Sequence, residues 1–162
     1  MLYQPLKNKR IILGVTGSIA AYKACEVLRR LQKTGAGVRV VMTEAAQKFV
    51  GPLTFETLSG EAVCTTMFPQ QRVMKTRHVK WAEWADLILV CPATANIVGK
   101  AATGIADDFL STLLMAAREE VVFAPAMDYE MIKNPFYIEN RKKLISSGRS
   151  FIHTTRGHLA SG

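Results

Sequence analysis

The sequence predicts an α/β fold, a parallel sheet with helices on both faces in three layers. Three observations lead there. Short aliphatic runs recur at Ile11–Val15, Val38–Met42, Asp86–Cys91 and Val121–Ala124, and runs lacking polar alternation suit strands buried on both faces. Helical patterns separate the runs, and strand–helix–strand alternation calls for parallel pairing through crossovers. Finally, 162 residues with 49% apolar content fit one domain that buries roughly two-thirds of its unfolded surface.

The elements follow in order. Ile11–Val15 is the first strand, Thr16-Gly17-Ser18 a turn, and a helix runs through Arg30 or beyond. Gly35 is placed to end that helix in the left-handed region. Val38–Met42 is the second strand, after which Thr43 caps a helix over Glu44–Val50. Pro52 starts another short helical piece carrying Phe55 and Leu58, since proline is pre-organised for a first helical turn. Gly60–Thr76 has poor periodicity and reads as a mobile or partner-contacting loop. His78–Ala85 is helical, with Trp81 and Trp84 three apart on one face. Asp86–Cys91 is the third strand, and helical stretches continue through Ala117. Val121–Ala124 is the fourth strand, followed by a loop and the helix Phe136–Ser147. Ser150–Thr154 is a fifth strand.

Composition narrows the function classes. The net charge is +8, but the bases lie scattered on helix faces (Arg29, Arg30, Lys33; Arg141, Lys142, Lys143). Without aromatic–basic interleaving they do not make a nucleic-acid surface, whereas a phosphorylated small molecule suits the charge. No run reaches the ~20 apolar residues of a membrane span, and the basic start lacks a signal-peptide core. Cys25, Cys64 and Cys91 have no metal-ligand spacing, and an odd count argues against a disulfide framework. The expected compartment is the cytoplasm.

Two motifs carry chemistry. Gly14-Val15-Thr16-Gly17-Ser18-Ile19-Ala20-Ala21 follows a strand and opens a helix, so N–H groups and the macrodipole face an anion, most simply a phosphate. The dinucleotide pattern GxGxxG is absent and the second strand ends in Thr43, which favours a mononucleotide over a dinucleotide. The second motif, Cys91-Pro92-Ala93-Thr94-Ala95-Asn96, ends the third strand, where open α/β sheets hold ligands. Its small residues let a flat ring or ribityl chain approach the backbone, and Thr94 and Asn96 can hydrogen-bond it. Ala124-Pro125-Ala126-Met127-Asp128 ends the fourth strand in the same way, so the two proline exits should wall one crevice. In Gly104-Ile105-Ala106-Asp107-Asp108 two carboxylates should cap a helix. Met127 and Met131 suit a core at helical spacing. His78 opens a helix, where a neutral imidazole can act as a base; His153 and His158 lie in the polar tail.

Together these motifs resemble the homo-oligomeric flavin-containing cysteine decarboxylases. The matching segments are GVTGSIAAYK (14–23), VMTEAAQKF (41–49), PLTFETLSG (52–60), RHVKWAEWAD (77–86), PATANIVGKAATGIADDFL (92–110), PAMDYEMIKN (125–134) and GHLASG (157–162). The resemblance covers the chain from about Lys9 onward, in order. It implies a flavodoxin-like (Rossmann-like) three-layer αβα sandwich, one FMN-binding domain over 1–162. It also implies self-association as trimers or dodecamers with FMN at a subunit interface. Residue by residue, it assigns the FMN phosphate region to Gly17, Ser18 and Ile19. Thr43 would stand beside the cofactor, and Thr94, Ala95, Asn96, Ile97 and Ala126 would line its ribityl and ring. Asp107 would reach the flavin from a neighbouring turn, and His78 matches the active-site histidine. Asp128, Met131 and Ala160 would meet the substrate.

The implied reaction is oxidative decarboxylation of 4′-phosphopantothenoylcysteine to 4′-phosphopantetheine in coenzyme A biosynthesis. The thiol-bearing carbon of the substrate is oxidised to a thioaldehyde, CO2 leaves to give an enethiol, and the hydride returns. The protein orients and polarises around the flavin. Two positions depart from the family pattern. Asp128 stands where an Asn commonly contacts the substrate carboxylate, so it must be protonated, turned to an amide or bridged by water. Ser161 stands where a clamp cysteine donates the last proton, and a hydroxyl is a far weaker acid than a thiol of pKa ~8.5. The expectation is therefore a domain that ends inside the clamp, a piece of a bifunctional protein. Two other readings remain: a peptidyl-cysteine decarboxylase that releases the enethiol, supported by Ser161, and a non-catalytic FMN-binding regulatory subunit, opposed by His78.

Overall fold

The computed structural model describes residues 4–68 and 77–153. Among these residues five strands, β1 (Arg10–Val15), β2 (Gly37–Met42), β3 (Leu87–Ala93), β4 (Glu120–Pro125) and β5 (Ser150–Phe151), form one sheet in the order β2-β1-β3-β4-β5. Every pairing is parallel. The central pair runs Ile11 to Gly14 against Leu87 to Val90, and β3 slips past β4 after Val90 so that Ala93 faces Pro125. Among the described residues seven helices connect and cover the strands: α1 (Ala21–Lys33), α2 (Pro52–Ser59), α3 (Arg77–Trp84), α4 (Ala95–Thr103), α5 (Phe109–Ala116), α6 (Tyr129–Lys133) and α7 (Pro135–Ser146). This is the α/β parallel sheet covered on both faces that the apolar runs predict, in the flavodoxin-like arrangement that the resemblance implies.

Alternation along β1 splits the interior into two cores. Ile11, Leu13 and Val15 point to one face, against Ala21, Ala24 and Leu28 of α1 and Phe55 of α2. Ile12 points to the other, against Ile97 and Val98 of α4 and Leu110 and Leu113 of α5. Both faces are thus covered, which is why β1 is buried continuously after Arg10. Each such Leu or Ile contributes ~1.5–3 kcal/mol by leaving water.

Local chemistry sets the helix ends. Buried Ala21, Ala24 and Leu28 recur at three- and four-residue steps in α1, and Arg30 and Lys33 complement its C-terminal dipole. Gly35 follows with φ +90°, and a Cβ there would stand 3.1 Å from the Lys7 Cα. α5 begins in a reciprocal capping box between Asp108 and Ser111. At α7, Asn134 accepts from the Phe136 N–H at 2.9 Å and Pro135 opens the helix.

Three expectations need correction. The helix expected over 44–50 is one 3-10 turn, Ala46–Lys48, because Thr43 Oγ1 caps the Ala46 N–H at 3.2 Å and Gly51 then turns extended into α2. The loop expected after the fourth strand contains α6, started by Asp128, whose carboxylate accepts from the Glu130 N–H at 2.9 Å. The segment 60–76, read as a loop, is anchored in its first part. Cys64 N–H donates to the Val40 carbonyl and Met42 N–H donates to the Cys64 carbonyl, both at 2.9 Å, which extends the sheet past β2 by one residue. Its remainder, 69–76, lies outside the described residues, as does Thr154 of the expected fifth strand. No helix among the described residues is long and apolar enough to cross a membrane.

Candidate functional site

The strand order reverses direction between β1 and β3, because α1 leaves β1 toward one face while α4 leaves β3 toward the other. Such a switch point opens a crevice beyond the C-terminal ends of the two strands, the usual ligand position in doubly wound sheets. The chain places both sequence motifs there. Gly17, Ser18 and Ile19 follow β1, and Thr94, Ala95 and Asn96 follow β3.

On the β1 side, α1 starts without a side-chain cap and without an acidic residue in its first turn. Among the described residues, the Gly17 and Ile19 N–H groups meet no acceptor. Ser18 Oγ accepts from the Ala20 N–H at 3.3 Å, which leaves its own proton to donate outward. Lys23 in the first turn sits against the preference of the macrodipole, an arrangement that a bound anion would offset. Gly17 has no room for a side chain, since a Cβ would strike the Ala45 Cβ of the loop after β2. That close approach brings Thr43 to the same edge, with its N–H on the Val15 carbonyl at 3.1 Å.

On the β3 side, Thr94 caps α4 by accepting from the Ile97 N–H at 3.4 Å. The Ala95 and Asn96 N–H groups meet no acceptor among the described residues. Asn96 is exposed, whereas Ile97 is 1% exposed and belongs to the core, with its N–H committed to the Thr94 cap, so Ile97 supports the turn from beneath. The Cys91–Pro92 peptide is cis. Next to β3, Ala126 donates its N–H to the Ala93 carbonyl at 3.1 Å, so the two proline exits do border one edge. Met127 packs on the core, while Met131 is exposed and Asp128 half-buried as the cap of α6.

The Asp107–Asp108 pair divides its labour. Asp108 caps α5, but Asp107 does not; it is held by Lys100 of α4, whose Nζ lies 2.6 Å from Asp107 and 3.2 Å from Asp108. The Lys100 hydrogen bond holds the Asp107 carboxyl below its ordinary range, and Asp107 in turn raises the ammonium. His78 is half-buried in the first turn of α3. His153 is exposed after β5. Ala160, Ser161 and His158 lie outside the described residues, and so does the expected clamp.

Two residues of this site were not singled out from sequence. Lys100 appeared only within the matching segment 92–110 and was given no role. Thr16 looked like a turn residue, yet its hydroxyl is buried between the tips of β1 and β3. Seven residues of spacing could have suggested Lys100 for Asp107; nothing local marks Thr16. Among the described residues no cluster of His, Cys, Asp and Glu could hold a metal ion.

Comparison with known proteins adds to this geometry. The family model described as Flavoprotein matches residues 2–161. The coenzyme A biosynthesis bifunctional protein CoaBC of Bacillus subtilis is 47% identical over 157 residues, 97% of this chain and 39% of that protein. The CoaBC of Mycobacterium tuberculosis is 46% identical over 151 residues, 93% of this chain and 36% of its own length. The chain thus spans about two fifths of the length of these curated relatives. Among solved structures, the FMN-dependent cysteine decarboxylase SpaF superposes with a TM-score of 0.85 at 35% identity, over 91% of this chain and 85% of that one. A PPC decarboxylase variant complexed with pantothenoylaminoethenethiol gives a TM-score of 0.83 at 27% identity, over 96% and 87% of the two chains.

Proposed function

The chain belongs to the Flavoprotein family, and from that premise we propose that it is an FMN-dependent carboxy-lyase acting on 4′-phosphopantothenoylcysteine. The observation that carries this reading is the 47% identity to CoaBC over nearly the whole chain, joined to a switch-point crevice with the right donors. When bound, FMN supplies the two-electron sink that lets the substrate carboxylate leave as CO2.

The residues present fit that cofactor. An anion-accepting helix start, with N–H groups at Gly17 and Ile19 and the Ser18 hydroxyl, suits the phosphate. The uncommitted N–H groups of Ala95 and Asn96, with small Ala126 beside them, suit a polar chain and a flat ring. Thr43 borders the same edge, and Asp107 is fixed by Lys100 to meet the flavin from the next turn. His78 holds or takes the proton as general base. Asp128 and Met131 would meet the substrate, the role that the resemblance also assigns to Ala160 and Ser161.

Self-association as a trimer or dodecamer belongs to the same proposal. Ile19, Tyr22, Phe49 and Leu53 are large apolar side chains left exposed around the start of α1 and α2, which supports a partner subunit beside the crevice. The three free thiols suit a reducing cytoplasm.

A second reading, release of the enethiol from a peptidyl cysteine, is favoured by Ser161 alone. One experiment separates the readings: the FMN-loaded chain is incubated with 4′-phosphopantothenoylcysteine and the product weighed by mass spectrometry. Loss of CO2 alone is the expected result. Loss of CO2 plus two hydrogens selects enethiol release, and an unchanged mass with bound flavin rejects this substrate.

A further inference from the structure

Among the described residues the buried polar side chains are Thr16 and Ser111. Ser111 is accounted for by its capping box. Thr16 is 2% exposed, lies just past β1, and caps nothing.

Its hydroxyl is bonded instead across the switch point. Thr16 Oγ1 donates to the Pro92 carbonyl at 2.7 Å and accepts the Thr94 N–H at 3.1 Å. Thr94 Oγ1 stands 3.3 Å away. The single Thr16 proton goes to the shorter contact, the Pro92 carbonyl, and the contact with the Thr94 hydroxyl is secondary. The Thr94 N–H, committed to Thr16, is removed from the ligand's reach. The Ala95 and Asn96 N–H groups are left as the donors of that turn.

The position matters as much as the bonds. β1 and β3 end side by side, and their helices diverge to opposite faces of the sheet. The Thr16 bridge spans the point where the two chains part, 76 and 78 residues apart in sequence.

We propose that Thr16 is a positioning residue for the flavin. Its buried hydroxyl sets how far the tips of β1 and β3 spread, and aims the first turn of α4 at the cofactor. This deepens the flavin reading and rests on it. Side chains that cannot bridge should loosen the crevice while leaving both cores intact, because the methyl side of Thr16 can be kept.

The test compares Thr16→Val, which keeps the shape without the hydroxyl, Thr16→Ala, and Thr16→Ser, which restores the hydroxyl. FMN is titrated into each apo-protein by fluorescence quenching. Deuterium exchange is followed in the ligand-free chains over the peptide that contains Thr94. Val and Ala should weaken FMN binding about tenfold, as the loss of one buried hydrogen-bonded bridge implies. They should also speed exchange at Thr94, with Ser close to wild type in both. A serine variant as weak as valine overturns the proposal, because it would make the methyl and not the bridge responsible. Wild-type affinity in the alanine variant, or unchanged Thr94 exchange, overturns it too. Should valine fail to fold, alanine and serine decide the matter alone. Wild-type protein that binds no FMN removes the flavin reading, and the exchange comparison then still judges the bridge.

Discussion

Lys100 Nζ lies 2.6 Å from Asp107 and 3.2 Å from Asp108, so one cation from α4 holds both carboxylates at the start of α5. The lysine side chain is only 18% exposed, while Asp107 is open to solvent. Replacing Lys100 with Met removes the counter-charge and leaves two neighbouring anions facing each other. Asp107 is screened by water, so the loss should be small, a drop of a few degrees at most in thermal midpoint. Differential scanning fluorimetry of the apo-protein reads it directly. An Arg in place of Lys100 should recover most of the loss, and an unchanged midpoint in the Met variant would remove the pair from the stability of this turn.

Acid should act through the same contacts. Asp107, through its bond to Lys100, and Asp86, through its bonds to Arg10, both sit below the ordinary carboxylate value of 3.8. A depressed carboxyl binds fewer protons in the folded chain than in the unfolded one, so its stabilisation is complete above that value and disappears as pH falls through the folded pKa. Urea midpoints should therefore stay level on this account down to about pH 4 and fall below it. Arg10→Met, which breaks the Asp86 pair at 3.2 Å, should flatten that fall. A steeper fall in the variant would contradict the assignment.

How much of this was legible in the chain depends on the range of the interaction. The strands announce themselves because burial on both faces strips polar residues from Ile11–Val15 and Val121–Ala124, a local signal. The glycine turn and the proline exits are local too, and sheet order brings them to one edge. What escaped is short or distant. Cys64 joins the sheet as a single bridged residue, too short to show a period. α6 has five residues and needed its Asp128 cap to be read as a helix start. Asp107 and Asp108 look alike in sequence, and only the reach of Lys100 separates their roles. The Thr16 bridge depends on partners 76 and 78 residues away, which no window along the chain contains.

The buried edge contact also sets thiol reactivity. Burial pushes the Cys64 thiol up to about 11, against an ordinary value of 9.0. The thiolate is the nucleophile, so Cys64 should label most slowly with iodoacetamide at pH 8, behind the half-exposed Cys25. Because the raised value belongs to a group kept neutral by folding, its contribution is complete below pH 9.0 and lost as pH rises toward 11. Peptide mapping after timed alkylation checks the order, and Cys64 labelling first would show that the bridge to β2 opens in solution.

His78 sits on a helix that cannot easily shift. The Arg39 guanidinium of β2 stands 4.1 Å from the Trp84 ring and 5.3 Å from the Trp81 ring. Arg77 lies 5.4 Å from Trp81 and 5.6 Å from Phe109, the first residue of α5. This ladder of cations and aromatic rings ties α3 to the sheet edge and to the turn that carries Asp107. With the helix so anchored, His78→Asn exchanges one half-buried polar side chain for another and should change stability by no more than ~0.5 kcal/mol. If His78 moves the proton in the proposed decarboxylation, its loss should slow turnover by ~10²–10⁴-fold while FMN binding stays as in wild type. Stopped assays of CO2 release beside flavin titration separate the two effects. Turnover retained in the Asn variant would take His78 out of the chemistry, and flavin lost with it would place the imidazole in cofactor binding instead.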